Sequence, residues 1–238
     1  MEKAISNKLY ENVAFQNFAE DILRPGGLEL TSEAINLARL VKGSKILDLG
    51  CGCGKSVEFL QNDYDIIGID SSLELINKTK SKIPNLRVEH GSAYDLPYQD
   101  SSMDGILAEC VMSLLDNKEV ALSEAKRVMK PKGKLIVSDL YIRESNKHFT
   151  GLPLVTCING MKTEYEVIAE MRLNGFELVN WQDKTLMFKG FLAGLIMNYG
   201  SMALFWQSLV GDCGTACEIQ ESLKGIKIGY YLAIWQKK

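Results

Sequence analysis

Apolar and polar positions change rhythm along this chain, and each rhythm predicts a different kind of element. Over residues 1–23, Leu9, Val13, Phe15 and Phe18 fall on or near one helical face, and Arg24-Pro25-Gly26-Gly27 breaks that helix with a turn. Thr31-Ser32-Glu33 predicts the start of a second helix running to about Lys42, with its acid in the first turn where the helix dipole favours it. From Ser44 onward, short apolar runs alternate with helical patterns. Strands are predicted at 45–49, 65–70, 86–90, 103–108 and 133–140, and helices at 54–62, 72–83 and 116–129. Asp116-Asn117-Lys118-Glu119 has capping-box form, and Lys130-Pro131-Lys132-Gly133 ends the helix it opens. Thr163-Glu164-Tyr165-Glu166 caps another helix that ends at Asn174-Gly175, and two last strands follow at 176–181 and 228–235. The alternation predicts an α/β chain with a mostly parallel seven-stranded sheet and helices on both faces. Two helical stretches stand outside it, 1–43 and 182–227, leaving 44–181 and 228–238 as the sheet domain.

Composition narrows the class. The 238 residues are 46% apolar and 24% charged with a net charge of −3, which gives no general attraction for nucleic acid. The opening residues, Met-Glu-Lys-Ala-Ile-Ser-Asn-Lys, lack the apolar core of a signal peptide, so a cytoplasmic protein is expected. The cysteines at 51, 53, 110, 157, 213 and 217 are then expected as reduced thiols. Gly190–Val210 holds no charged residue and is long enough for a membrane span. It also carries Asn198, Gln207, Ser201, Ser208 and three glycines, which suit a buried or lid-forming helix pair better than a lipid-facing one.

The chemistry starts at Asp48-Leu49-Gly50-Cys51-Gly52-Cys53-Gly54. A strand ending in a glycine-rich turn that opens a helix lets a nucleoside cofactor approach bare backbone, and Asp70, at the tip of the next strand, is placed to accept from ribose hydroxyls. The glycines fall as G-x-G-x-G, with Lys55 where a dinucleotide fingerprint needs its third glycine. A phosphate loop ending in Gly54-Lys55-Ser56 would need its first glycine at Leu49, so that reading fails.

Asp48-Leu-Gly-Cys-Gly-Cys-Gly instead resembles the first motif of class I S-adenosylmethionine-dependent methyltransferases. Asp70-Ser71 resembles the second. Gly91-Ser92-Ala93-Tyr94-Asp95-Leu96-Pro97-Tyr98 resembles the family's G-D-A-x-x-L-P-[FY] segment, with Ser92 in place of the usual Asp. Asp100–Leu107 and Val128–Val137 resemble the approaches to strands four and five. The resemblance covers residues 44–142 in the expected order. It implies a Rossmann-like class I methyltransferase fold, with 1–43 and an insertion at 182–227 forming a helical cap. It implies S-adenosylmethionine as cofactor, held by Arg24, Asp48, Gly50, Cys51, Gly52, Asp70, Ser71, Ser92, Ala93, Tyr94 and Glu109. Methyl transfer from a sulfonium needs alignment and exclusion of water more than acid–base machinery, so the lack of a recognisable triad does not count against an enzyme.

Within the superfamily, Glu109-Cys110-Val111-Met112-Ser113-Leu114 resembles the Asn-Cys-Val-x-Asn-Leu of arsenite methyltransferases, with Glu109 and Ser113 replacing the asparagines. Cys157-Ile158-Asn159-Gly160-Met161 resembles that family's Cys-x-x-Gly-Ala segment, whose cysteine is a ligand to trivalent arsenic. Another cysteine essential there falls here at about Val57. Glu109, Cys110 and Cys157 are thus the acceptor-side candidates. Cys213 and Cys217, four apart on one helix face, could complete a soft-ligand site with Cys157, or all three could be ordinary small apolar residues. Tyr10, Phe15 and His148 are further candidates for the pocket wall, while His90 reads as a loop residue at a strand end. A small-molecule methyltransferase with a soft acceptor such as arsenite is the leading expectation. An ordinary carbon, oxygen or nitrogen acceptor of quinone or natural-product type, with Glu109 as base, is the alternative. A third reading is a noncatalytic cofactor-binding module whose apolar insertion docks a partner or makes a homodimer.

Overall fold

The computed structural model describes residues 8–18, 24–146 and 148–238. Its sheet contains β1 Lys45–Leu49, β2 Asp65–Asp70, β3 Val88–His90, β4 Met103–Glu109, β5 Met129–Ser145, β6 Phe176–Asp183 and β7 Ile226–Lys237. The order is β3-β2-β1-β4-β5-β7-β6, and β7 alone runs antiparallel to its neighbours. Strand order reverses between β1 and β4, which opens a crevice outside their carboxyl ends. Because successive strand residues point to opposite faces, the continuous apolar runs feed two cores. Ile46, Leu107 and Ile136 pack on one side with Ile35 and Val57, and Leu47, Ile106 and Leu135 on the other with Leu122 and Val128.

The helices are α1 Val13–Phe18, α2 Gly27–Ala38, α3 Lys55–Leu60, α4 Leu73–Lys82, α5 Lys118–Val128, α6 Glu164–Leu173, α7 Thr185–Tyr199, α8 Met202–Val210 and α9 Cys213–Leu223. The last three fill the stretch between β6 and β7. Ser201 and Asp212 cap α8 and α9 with their side chains, and Phe205, Trp206 and Ile219 join the first core. No helix among the described residues is long and apolar enough to cross a membrane.

Several local expectations are corrected. Helix α2 begins at Gly27, not Thr31, because the Thr31 hydroxyl donates to Glu109 at 2.9 Å instead of capping a helix start. The α5 cap is Asn117, whose side chain accepts from the Val120 amide, not Asp116. The helix expected over 1–23 resolves, within its described part, into a 3-10 turn at Leu9–Glu11 and the short α1, separated at Asn12. Strand β3 starts only at Val88, since the Leu86 amide bonds back to Ile83 in a turn. The helix ends ahead of Lys130-Pro131-Lys132-Gly133 as expected, but β5 starts already at Met129 and takes in those residues as an irregularity, with Lys132 at φ +62°. Strand β5 also runs on to Ser145, because β7 pairs with it past the end of β4. Glu109 meets Ser138, whereas Leu140 through Ser145 pair along β7 past the ends of β4 and β6, with Ile142 also bridging Thr163, which makes a ribbon beyond the sheet edge.

Candidate active site

The glycine loop caps the crevice with little more than backbone. Gly50 sits at φ +73°, and a Cβ there would lie 2.4 Å from Val111 Cγ2, so both its conformation and its neighbour require glycine. The Gly50 and Cys51 amides both donate to the Ile69 carbonyl, at 2.8 and 3.1 Å, which ties β1's tip to β2. Asp70 completes that tie. Its two oxygens accept from the amides of Gly52 and Ser72, each at 2.8 Å. Burial pushes the Asp70 carboxyl up, and the two amides pull it back part of the way. A carboxylate has about four acceptor sites, so two remain for hydroxyls in the crevice. A Cβ on Gly52 would meet only Leu75 Cδ1, at 4.0 Å, leaving that stretch of the cradle open.

Across the crevice, the Ser92 hydroxyl accepts from the Tyr94 amide at 3.1 Å, and the Tyr94 phenol accepts from the Asp116 amide at 3.0 Å. These bonds fix the loops after β3 and β4 against each other. At the tip of β4 the side chains form a closed polar group. Arg24 pairs with Glu109 at 2.7 Å and donates to Ser56 at 2.9 Å, while Ser56 and Thr31 each donate to the same carboxylate. Arg24 Nε is buried with no partner among the described residues, a donor left over in a wall facing the crevice. Beneath lies Asp48, 3% exposed and outside the cavity lining, its carboxyl pushed well up by burial and by Glu109 against the pull of Arg24.

One cavity of about 490 Å³ joins this polar end to an apolar one. Arg24, Gly50, Cys51, Gly52, Asp70 and Ser71 line the first end, with Ser92, Ala93, Tyr94 and Glu109 beside them. The second end is aromatic. Phe15 of α1 meets Phe191 edge-on at 6.2 Å and Phe205 at 6.0 Å, and Phe205 tilts against Trp206 at 4.9 Å. Leu9 donates its amide to the Val155 carbonyl at 3.0 Å, which fastens the N-terminal segment to the loop carrying Cys157.

Cys110 and Cys157 meet at the junction of the two ends, and both line the cavity. Cys110 adopts φ +56°, a conformation that costs a non-glycine residue free energy and that collects at functional sites. Its amide donates to the Ser138 carbonyl at 2.7 Å, and its sulfur lies 3.4 Å from the Tyr230 hydroxyl. The hydrogen bond with Cys157, together with burial, pushes the Cys110 thiol well up.

The grouping of Cys157 with Cys213 and Cys217 is corrected. The latter two do share a face of α9, but it is the exposed face, outside the cavity lining, because Ala216 and Ile219 take the buried side. Cys51 packs against Gly68 and, like Cys53, is buried. His90 and His148 are exposed and do not line the cavity, whereas Tyr10 and Phe15 do. Three site residues were missed as such: Thr31 read as a helix start, Ser56 as the end of a rejected phosphate loop, and Tyr230 only as part of the last strand. Ser56, directly after the glycine loop, was the one with a positional signal.

Residues 47–137 match the methyltransferase domain family. Over that stretch the chain is similar to methyltransferase domains. Outside that domain the similarity thins. The O-methyltransferase rstn1 of Aspergillus nomiae is 32% identical over 131 residues, 52% of this chain and 58% of that one. The arsenite methyltransferase of Halobacterium salinarum is 26% identical over 159 residues, 60% of this chain and 39% of that one. The matched stretch therefore spans less than two thirds of either relative's length. Among solved structures, the cyclase SpnF superposes with a TM-score of 0.71 at 20% identity, covering 98% of this chain and 97% of that one. That likeness speaks for the fold, cap included, and for no particular reaction. Residues within 47–137 thus line the polar end of the cavity together with Arg24, and segments outside that stretch supply most of the aromatic end.

Proposed function

We propose that the chain transfers the methyl group of S-adenosylmethionine to a small organic acceptor held under the cap. The observation that carries this is the single cavity with a nucleoside-type cradle at one end and an aromatic box at the other. The residues present suit the cofactor. Asp70 has acceptor sites left for ribose hydroxyls, the backbone beside Gly52 is open, and the orphaned Arg24 Nε is a donor for a carboxylate. Ser92, Ala93 and Tyr94 would flank the base. Glu109 accepts from Arg24, Thr31 and Ser56, which suits it to hold an ammonium group in place rather than to take a proton from the acceptor. Bound S-adenosylmethionine supplies a sulfonium methyl whose in-line displacement neutralises the donor. The chain's own part is to align the acceptor from the aromatic end and to keep water out. The test is release of S-adenosylhomocysteine with uncharged phenols and quinols as acceptors. Cofactor binding with no product across such a panel would favour the noncatalytic module instead.

A second reading, a soft acceptor such as arsenite, is favoured by one observation, the meeting of Cys110 and Cys157 in the cavity wall. It predicts arsenite methylation that Cys157→Ser abolishes. Equal turnover in the variant would remove the thiol-ligand role.

A further inference from the structure

We propose that Cys110, Cys157 and Asp139 form an open three-ligand site for a thiophilic divalent cation of the zinc class, set in the wall where the two ends of the cavity meet. The two sulfurs and a carboxylate oxygen all lie within 4.8 Å of one another. Tetrahedral zinc, with bonds of about 2.3 Å to sulfur, holds two thiolates about 3.8 Å apart, so side-chain shifts of roughly an ångström close the site. The three ligands come from three separately anchored pieces of chain. Cys110 follows β4 and is fixed by its amide bond to Ser138. Asp139 is the next residue along β5, and its carboxylate accepts from the Ser113 amide at 2.8 Å, the Ser113 hydroxyl at 2.7 Å and the Leu140 amide at 2.8 Å. Three of about four acceptor sites are thereby used, which orients the carboxylate and leaves one for a cation. Cys157 sits in a loop held by Asn159, whose side chain bonds the Leu152 amide at 2.9 Å and the Leu154 carbonyl at 2.8 Å.

The carboxylate decides between ligands. Neutral trivalent arsenic is best served by thiolates alone, whereas two thiolates and a carboxylate suit a borderline-soft dication. Such a complex keeps one negative charge. Binding would expel the two thiol protons to solvent. Three protein ligands also leave a fourth position, and since both cysteines line the cavity, that position faces the acceptor. A thiol or hydroxyl of an acceptor bound there would ionise on coordination. This last clause rests on the methyltransferase reading, but the cation site does not.

The experiment uses the full chain with Cys213→Ser and Cys217→Ser, which removes the exposed thiol pair as a competing ligand. Chelator-stripped protein is titrated with zinc(II) against a chromophoric chelator, and with cobalt(II) for its thiolate charge-transfer absorption. One equivalent of metal with a two-thiolate cobalt spectrum is expected. Adding Cys110→Ser or Cys157→Ser should weaken binding at least about 100-fold. A retained far-ultraviolet circular dichroism spectrum and a cooperative urea transition in those variants would show that the fold is intact. Zinc affinity indifferent to both substitutions, no stoichiometric zinc at all, or arsenite binding without zinc binding would each overturn the proposal. Because no acceptor or turnover enters the measurement, failure of methyl transfer would leave its outcome readable.

Discussion

The two ends of the cavity are built by different means. At the polar end, backbone amides, two glycine conformations and Asp70 come from consecutive strand tips of one sheet. At the aromatic end, Phe15, Cys157, Phe191 and Phe205 arrive from four segments spread over nearly the whole chain, and no two share a strand. The first kind of site tolerates wide change in its surroundings, because backbone geometry persists while side chains vary. The second is specified side chain by side chain. The polar group of Arg24, Glu109, Thr31 and Ser56 closes the polar end, since it links α2 and α3 to the tip of β4.

That contrast can be broken at three points. The largest effect is expected at the polar group. Arg24→Ala leaves Glu109 buried without its cation and should cost about 3–5 kcal/mol in urea denaturation. Arg24→Met with Glu109→Gln should recover more than half of that loss, because no unpaired charge remains. A double variant as unstable as the single one would mean that packing, not charge, is what Arg24 supplies. Next, Asp70→Ala should weaken S-adenosylhomocysteine binding about 100-fold by calorimetry, roughly 2.7 kcal/mol, while Phe191→Ala changes it less than about threefold. Equal losses would erase the distinction between the ends. The smallest effect concerns Asp48. Burial and Glu109 raise its carboxyl above the unfolded value, so the native chain keeps a proton that the unfolded chain gives up first. Stability is therefore lost as pH rises through that window, and the cost persists above it. Asp48→Asn should be more stable than the parent at neutral pH, with the gain vanishing as pH falls toward the unfolded carboxylate range. A gain independent of pH from 4 to 8 would argue against titration of Asp48.

How much was legible in the sequence follows the same division. The seven strands, the glycine loop and Asp70 could be read because each depends on local rhythm and on spacing within one strand–helix–strand unit. Thr31 misled because a threonine before a helical pattern looks like a cap, and only the fold brings Glu109 to its hydroxyl. Cys213 and Cys217 were placed on a common face, but periodicity does not say which face turns inward. The Cys110–Cys157 meeting carried no local signal, since a left-handed residue after β4 and a separate loop had to be brought together.

The ribbon beyond the sheet edge has a consequence of its own. Helices α7 to α9 leave the sheet after Asp183 and return at Ile226, and the Lys184 amide donates to the Tyr230 carbonyl at 2.7 Å at that threshold. The insertion therefore hangs from an overhang whose pairing does not involve β1 to β4. Lengthening it, shortening it or exchanging it leaves the register of those strands untouched. Exchanging the insertion would reshape the aromatic end of the cavity while the strand tips at its polar end stay in place.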